Sequence, residues 1–381
     1  MSENDVAIIG ASSAGLFAGY LLARGGLPVR IYEASEKLEP APRTLIVTGQ
    51  LCRALGFTPN EAVLNRVRHI ELASRNALTR VSLAEPDLVI ERGRLIRLLA
   101  SKAEQAGARI ELGRRFMGFY GDEDGLALSL LDLRKDRVEL VKARTLVGAD
   151  GALSPVARAA NRDSRPTVAI VQAKVALPPW AAADTVQVWF DRRDTRFFYW
   201  LIPESNTRAV AGLVGEDQEK ARQRLDRFLG QRNLQASEYQ AAQVPLYESC
   251  SQPWATVRGS GVFLVGDAAG QVKVTTVGGV VAGLRGAGAV ANAILRQRDY
   301  GQELKGLKKE LDLHHLIRRV LDRFSDADYD ALLNSLDRRA KESLKTHNRD
   351  EMVRAFWGLV LAQPRWLILA ARSLLRQGRM G

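Results

Sequence analysis

Apolar and polar positions change period twice within the first forty residues. Val6 to Ile9 form an unbroken apolar run, the pattern of a parallel strand covered on both faces. Gly10 permits a tight turn, and Leu16, Gly19, Tyr20 and Ala23 then recur at helical spacing until Gly25-Gly26 ends the helix. "PVRIYE" returns to strand and closes at Glu33. The same order of strand, small-residue turn and helix recurs in "LVGADGALSPVAR" (146–158) and in "GVFLVGDAAGQVKVTTVGGVVAGLRGAGAVANAI" (261–294). Gly and Ala in the last of these lower helix stability, so their density predicts close backbone approach to something large.

Between these units the period changes to two. "TVQVWFDRRDTRFFYWLIPESNTRAVAGLV" (185–214) alternates β-branched and aromatic residues between turn signals at "DRRD" and "ESN", which predicts an antiparallel meander. Trp189, Phe190, Phe198 and Trp200 either line an apolar cleft on that sheet or fill its core. From Asp299 onward the apolar spacing is helical throughout, with Ser325 a predicted N-cap. Met352 to Arg376 is the most hydrophobic helical stretch, but Pro364 and Arg365 interrupt it. It is expected to lie on a membrane or cover a channel rather than cross a bilayer.

Composition is that of an ordinary globular protein, 46% apolar and 26% charged, and 381 residues suffice for two or three domains. The formal charge is +12, concentrated from Arg285 onward. A basic surface suits an anionic membrane or an acidic partner protein. The interleaved acids and the lack of any known nucleic-acid motif argue against nucleic acid. Cys52 and Cys250 cannot build a disulfide framework. His69, His314, His315 and His347 lack metal-type spacing, and the adjacent pair points to different faces of a helix, so a structural or solvent-facing role is expected. The acidic opening "MSEND" is unlike a signal peptide, and a cytoplasmic protein, membrane-associated on the cytoplasmic face if at all, is the expectation.

The first unit carries a dinucleotide fingerprint. Gly10 and Gly15 keep the outer glycines, Ser12 replaces the middle one, Ala14 sits in the same loop, and Glu33 stands where an acid meets a ribose hydroxyl. With the DG motif at Asp150 and the GD motif at Asp267, the chain resembles the flavoprotein hydroxylase superfamily. Within it, "GDAAGQVKVTTVGG", "FFYWLIPESNTRAVAGLV" (197–214) and "ERGRLIRLLASKAEQAGARIELG" (91–113) are similar to the geranylgeranyl reductase family, over about residues 4 to 290.

The resemblance implies an α/β fold: a Rossmann-like FAD-binding domain, an antiparallel β-sheet substrate domain and a C-terminal helical segment. The FAD domain is expected from 1–43, 91–165 and 255–298, the substrate domain from 44–90 and 166–254, and the helical region from 299–381. It implies FAD held by the loop Gly10, Ser12, Ala14 and Gly15, and by Glu33, Arg43, Arg92, Asp150, Gly266 and Asp267. Asp267 would bond the ribityl chain or O3′, and a helix starting near Gly278 or Gly279 would aim its positive end at the flavin pyrimidine edge. Asp150 would support the fold with Arg158, and Lys273 is expected to be exposed. Tyr199, Trp200 and Pro203 would line the substrate.

The implied activity is reduction of isolated C=C bonds in a polyprenyl lipid, with NAD(P)H or an acidic ferredoxin as reductant, an electron-donor protein as partner and peripheral membrane contact. The same fingerprints serve a monooxygenase acting on an aromatic or quinone-like substrate, and a flavin-binding lipid carrier without catalysis. Halogenation needs a lysine after the first nucleotide unit, and none occurs between Leu38 and Ser101.

Overall fold

The computed structural model describes residues 5–162, 165–346 and 349–353, together with Gln363, Trp366, Leu369, Ala371 and Arg372. Most of the hydrophobic segment 352–376 and His347 therefore lie outside the described residues.

Val6–Ile9 is the inner strand of a six-stranded sheet, paired in parallel with Val29–Glu33 on one side and Thr145–Gly148 on the other. Arg109–Leu112 extends the sheet beyond Val29–Glu33. Ser260–Leu264 extends it beyond Thr145–Gly148, with Trp254–Val257 antiparallel at the edge. The helix Ser13–Arg24 packs so closely on this sheet that a Cβ at Gly19 would lie 2.6 Å from Ile31 Cδ1. The second and third strand–turn–helix units follow the predicted order, with helices Pro155–Ala159 and Val280–Leu295.

The second sheet has eight strands and draws on residues 44–91 and 167–245. The predicted meander is present: Thr185–Trp189, Tyr199–Pro203 and Arg208–Gly215 pair antiparallel in sequence. The meander joins Val63–Ala73 through a parallel pair and, on its other edge, Thr167–Ala176. Gln218–Gln231 covers one face of this sheet, where Tyr199, Leu201 and Leu213 bury with Leu225, Phe228 and Leu229. A separate three-stranded antiparallel sheet spans 114–143, inside the stretch read as part of the nucleotide-binding unit.

Among the described residues three helices follow: Tyr300–Leu321, Asp326–Asn334 and Arg338–Thr346. Ser325 caps the second of them in a reciprocal capping box with Asp328. Among the described residues no helix is long and apolar enough to cross a membrane.

Candidate cofactor site and substrate cleft

Gly10 adopts φ +102°, and a Cβ there would collide with Ala149 O at 2.5 Å. A Cβ at Gly15 would meet Gly10 O at 2.2 Å. Both glycines thus serve helix-to-strand packing behind the loop. Ser12 is the N-cap of the first helix, its Oγ accepting from Gly15 N at 3.2 Å. Glu33 Oε2 accepts from Ala11 N at 2.8 Å and Oε1 from Ser35 N at 2.9 Å, so the acid locks the turn that leads into that helix. Asp150 caps the short helix Pro155–Ala159 by accepting from Ser154 Oγ at 2.5 Å and Val156 N at 2.9 Å.

Asp267 lies in a 3-10 turn, Gly266–Ala269, that Gly270 ends at φ +65°. Burial pushes its carboxyl up, and Arg43 and Arg92 pull it back only in part. Burial and the neighbouring Arg92 hold Arg43 down at about 10, against the opposing pull of Asp267. Arg92 is lowered by burial against the pull of Asp267, Glu91 and Glu33. Among the described residues no donor bonds the Asp267 carboxylate, and Arg43 Nε is buried without a partner. The helix Val280–Leu295 begins at Gly279 with no side-chain cap, which leaves first-turn N–H groups free.

The small residues of that helix have a cause within the chain itself. A Cβ at Gly286 would fall 1.9 Å from Gln271 Oε1, one at Gly283 would lie 3.2 Å from Gly266 Cα, and one at Gly279 would lie 3.0 Å from Asp267 Oδ1. Gln271 accepts from Gly266 N at 2.8 Å, and Tyr300 OH donates to Leu264 O at 2.9 Å. The helix is small because the loop 266–272 lies against it. The close approach that the density predicts is thus met, at these positions, by the chain itself.

A cavity of about 660 Å³ opens from this corner. Ser12, Ala14, Arg43, Arg92, Gly266, Asp267, Gly278 and Gly279 all line it; Gly10, Gly15, Glu33 and Asp150 stand behind the wall. A carboxylate without a donor, a buried guanidinium nitrogen without an acceptor and an uncapped helix start fit a cofactor with hydroxyl, carbonyl and phosphate groups.

Beyond that corner the floor turns apolar. Ile70, Val81, Val188, Phe198, Trp200 and Ile202 come from one face of the eight-stranded sheet. Arg318, Leu321, Leu344 and Met352 contribute from the C-terminal helices and the segment after them. The period of two decides which meander residues face the cleft. Trp200 does, but Tyr199 and Pro203 do not, contrary to the expectation that all three line it. Tyr199 is 1% exposed and stacks on Phe228 at 4.3 Å on the far face, and its hydroxyl donates to Asp194 at 3.0 Å. Pro203 is buried in the strand, its carbonyl accepting from Asn65 Nδ2. Trp189 likewise turns away, edge-on to Phe228, whereas Phe190 lines the cleft and stacks on Tyr329 at 4.5 Å.

Lys273 also departs from expectation. It is 6% exposed, lines the cavity and pairs with Asp350 Oδ1 at 2.5 Å. His314 is fully buried, while its neighbour His315 is half-buried. Lys273 belongs to a turn in which Val277, at φ +52°, occupies a conformation that β-branched residues rarely adopt. Asp350, Arg349 and Thr48 carry no sequence signal for this corner. Cys52 is half-buried on the helix Gln50–Leu55 and packs against the hydrophobic core.

Residues 3–296 match the family described as "FAD binding domain". The chain is 28% identical over 378 residues to digeranylgeranylglycerophospholipid reductase 2 of Methanothermobacter thermautotrophicus, with 89% of this chain and 93% of that protein covered. The enzyme of the same kind from Methanocaldococcus jannaschii is 25% identical, over 87% of this chain and 90% of its own length. Among solved structures, a geranylgeranyl bacteriochlorophyll reductase-like protein from Thermoplasma acidophilum superposes with a TM-score of 0.79 at 18% identity. That superposition covers 96% of this chain and 98% of the other. A flavin-dependent brominase follows at 0.69 and 16% identity, covering 98% and 99%, which shows how widely the fold is shared. The chain belongs to the FAD-binding domain family and is an FAD-dependent oxidoreductase, similar over most of its length to the digeranylgeranylglycerophospholipid reductases.

Proposed function

We propose that this flavoprotein reduces isolated carbon–carbon double bonds in a polyprenyl lipid of geranylgeranyl type. The observation that carries the reading is the cleft itself. From the Asp267–Gly279 corner it continues over a sheet wall made mostly of aliphatic and aromatic side chains, with Thr44, Glu85, Asp87 and Gln172 the polar ones among the described residues. Such a mainly apolar wall suits an isoprenoid chain. The names of the reductase relatives support the same substrate class.

Reduced FAD, when bound, supplies the hydride. The chain's own work is binding, orientation and charge. Asp267, with Arg43 and Arg92, holds the polar part of the cofactor, and the free N–H groups after Gly279 favour negative charge beside them. An unactivated alkene develops positive charge as it reacts, and the indole of Trp200 with the ring of Phe198 borders the cleft where that charge appears. An aromatic face is worth about 0.5–2 kcal/mol to a cation, more as water is excluded. The C-terminal helices supply the covering that keeps water out. Electrons reach the flavin from NAD(P)H or an acidic ferredoxin-type protein, and the lipid is taken from a membrane by peripheral contact.

The test is anaerobic. The purified holoprotein is reduced chemically, mixed with a polyprenyl lipid extract, and followed by flavin absorbance and mass spectrometry. The proposal expects flavin reoxidation without oxygen and products heavier by pairs of hydrogen atoms. Flavin that stays reduced until air enters, with product that gains oxygen, would make the enzyme a monooxygenase.

A further inference from the structure

We propose that Lys273 and Asp350 are a positioning pair that ties the C-terminal segment to the turn carrying Gly278 and Gly279, and so fixes the backbone that meets the flavin. The inference rests on FAD as the cofactor and is independent of the lipid reading. Its starting point is the turn itself. Lys273 N donates to Gly278 O at 3.2 Å and Val277 N donates to Lys273 O at 2.7 Å, closing a loop around Val277 in its left-handed conformation. A β-branched residue stays there only when its surroundings hold it.

Two ties supply that hold, and both end at the same corner. Lys273 Nζ meets Asp350 Oδ1 at 2.5 Å. Two residues along the turn, Thr275 Oγ1 lies 2.6 Å from His314 Nδ1, and His314 Nε2 lies 3.1 Å from Arg349 O. A carbonyl can only accept, so Nε2 carries the proton and the Thr275 hydroxyl donates to Nδ1. The corner is anchored in turn: Thr48 donates to Asp350 Oδ2 at 2.7 Å, and Arg349 pairs with Asp87 on the eight-stranded sheet. Two cations and two anions balance, beside one buried neutral histidine.

Of these, Lys273, Thr275, Arg349, Asp350 and Asp87 line the cavity that opens from the flavin corner. The match to the FAD-binding family stops at residue 296, so the tie to its third fingerprint comes from outside the matched region. The pair is therefore placed to adjust the flavin-facing backbone from a part of the chain that also covers the substrate.

The test replaces both charges at once, because an apolar pair of similar volume usually leaves a protein folded while a single buried charge does not. The full-length Lys273→Met/Asp350→Leu variant is compared with wild type for thermal unfolding, FAD affinity of the apoprotein, flavin midpoint potential, and amide exchange at Gly278 and Gly279. The expected result is unfolding close to wild type, FAD binding weaker by about tenfold, the equivalent of one hydrogen bond to a charged group, a shifted potential and faster exchange at the two glycines. A folded variant with unchanged affinity, potential and exchange overturns the proposal and leaves the pair a purely structural contact. If the double variant does not fold, Lys273→Arg decides. Its guanidinium keeps the charge but not the position, so altered FAD affinity supports the tie and wild-type affinity overturns it.

Discussion

Two carboxylates border the same cavity, Asp350 buried and Asp267 half-buried, and their surroundings are opposite. Asp350 has an ammonium at 2.5 Å and a hydroxyl at 2.7 Å. Burial pushes its carboxyl up, but Lys273 and Thr48 outweigh that and hold it below the usual range. Asp267 has two arginines nearby, no donor in contact among the described residues, and a carboxyl that burial holds above the usual range. A satisfied charge cluster fixes structure, whereas an unsatisfied one marks where a ligand completes the hydrogen bonding. The first corner is finished within the chain; the second is left open for a ligand, which in the proposed reading is FAD.

The contrast is most sharply broken by neutralising each acid in turn. Asp350→Asn leaves Lys273 buried without its anion and should cost about 3–5 kcal/mol in urea unfolding of the apoprotein. Asp267→Asn should leave apoprotein stability at neutral pH unchanged or raised, because the folded state already disfavours that carboxylate. The same change should weaken FAD binding by roughly 10–100-fold, measured by fluorescence titration. Equal stability losses at the two sites would erase the distinction.

Acid sharpens it further. Burial, with the Lys273 charge adding to it, holds His314 at about 4, against 6.5 for an ordinary histidine. Between those values the unfolded chain takes up a proton that the folded chain refuses. The contribution of His314 is therefore complete above pH 6.5 and is lost as pH falls towards 4, by about 3 kcal/mol. Denaturant unfolding of wild type and His314→Gln at pH 7 and pH 4.5 should show the variant with the shallower pH dependence. Parallel profiles would remove His314 from the account.

Smaller effects separate the two faces of the eight-stranded sheet. A Cβ at Gly212 would lie 2.5 Å from Trp200 Cζ2 and 2.7 Å from Gln172 Cβ. Gly212→Ala should cost about 1–3 kcal/mol by overpacking and raise KM for the lipid by displacing the indole. Ser325→Ala, remote from both corners, should cost about 1 kcal/mol and leave FAD affinity untouched, which makes it the control for the other variants.

Much of this architecture was legible from local pattern. The strand–turn–helix units at residues 6, 145 and 260 declare themselves because apolar runs and glycines lie close together in the chain. The meander was legible for the same reason, but the face each residue takes was not. Trp200 and Tyr199 differ by one position, and parity is set by strand pairing rather than by residue type. Lys273 reads as exposed from the sequence because its partner lies 77 residues later, beyond the reach of any local pattern. For His314 the sequence leaves a structural or a solvent-facing role open, and the carbonyl and hydroxyl that fix its tautomer leave no local signal. The glycines of the helix Val280–Leu295 were read correctly as a sign of close approach, yet Gln271, rather than a ligand, is what Gly286 must admit.

The order in which the strands join has a consequence during synthesis. Ser260–Leu264 pairs with Thr145–Gly148, which in turn flanks Val6–Ile9. On the ribosome the first strand finds Val29–Glu33 early but waits on its other edge for Thr145–Gly148, and the pocket holding Asp267 cannot exist until about two-thirds of the chain has been made. Asp350 arrives later still. For that interval the nascent chain presents the Asp267 corner without its Lys273–Asp350 tie.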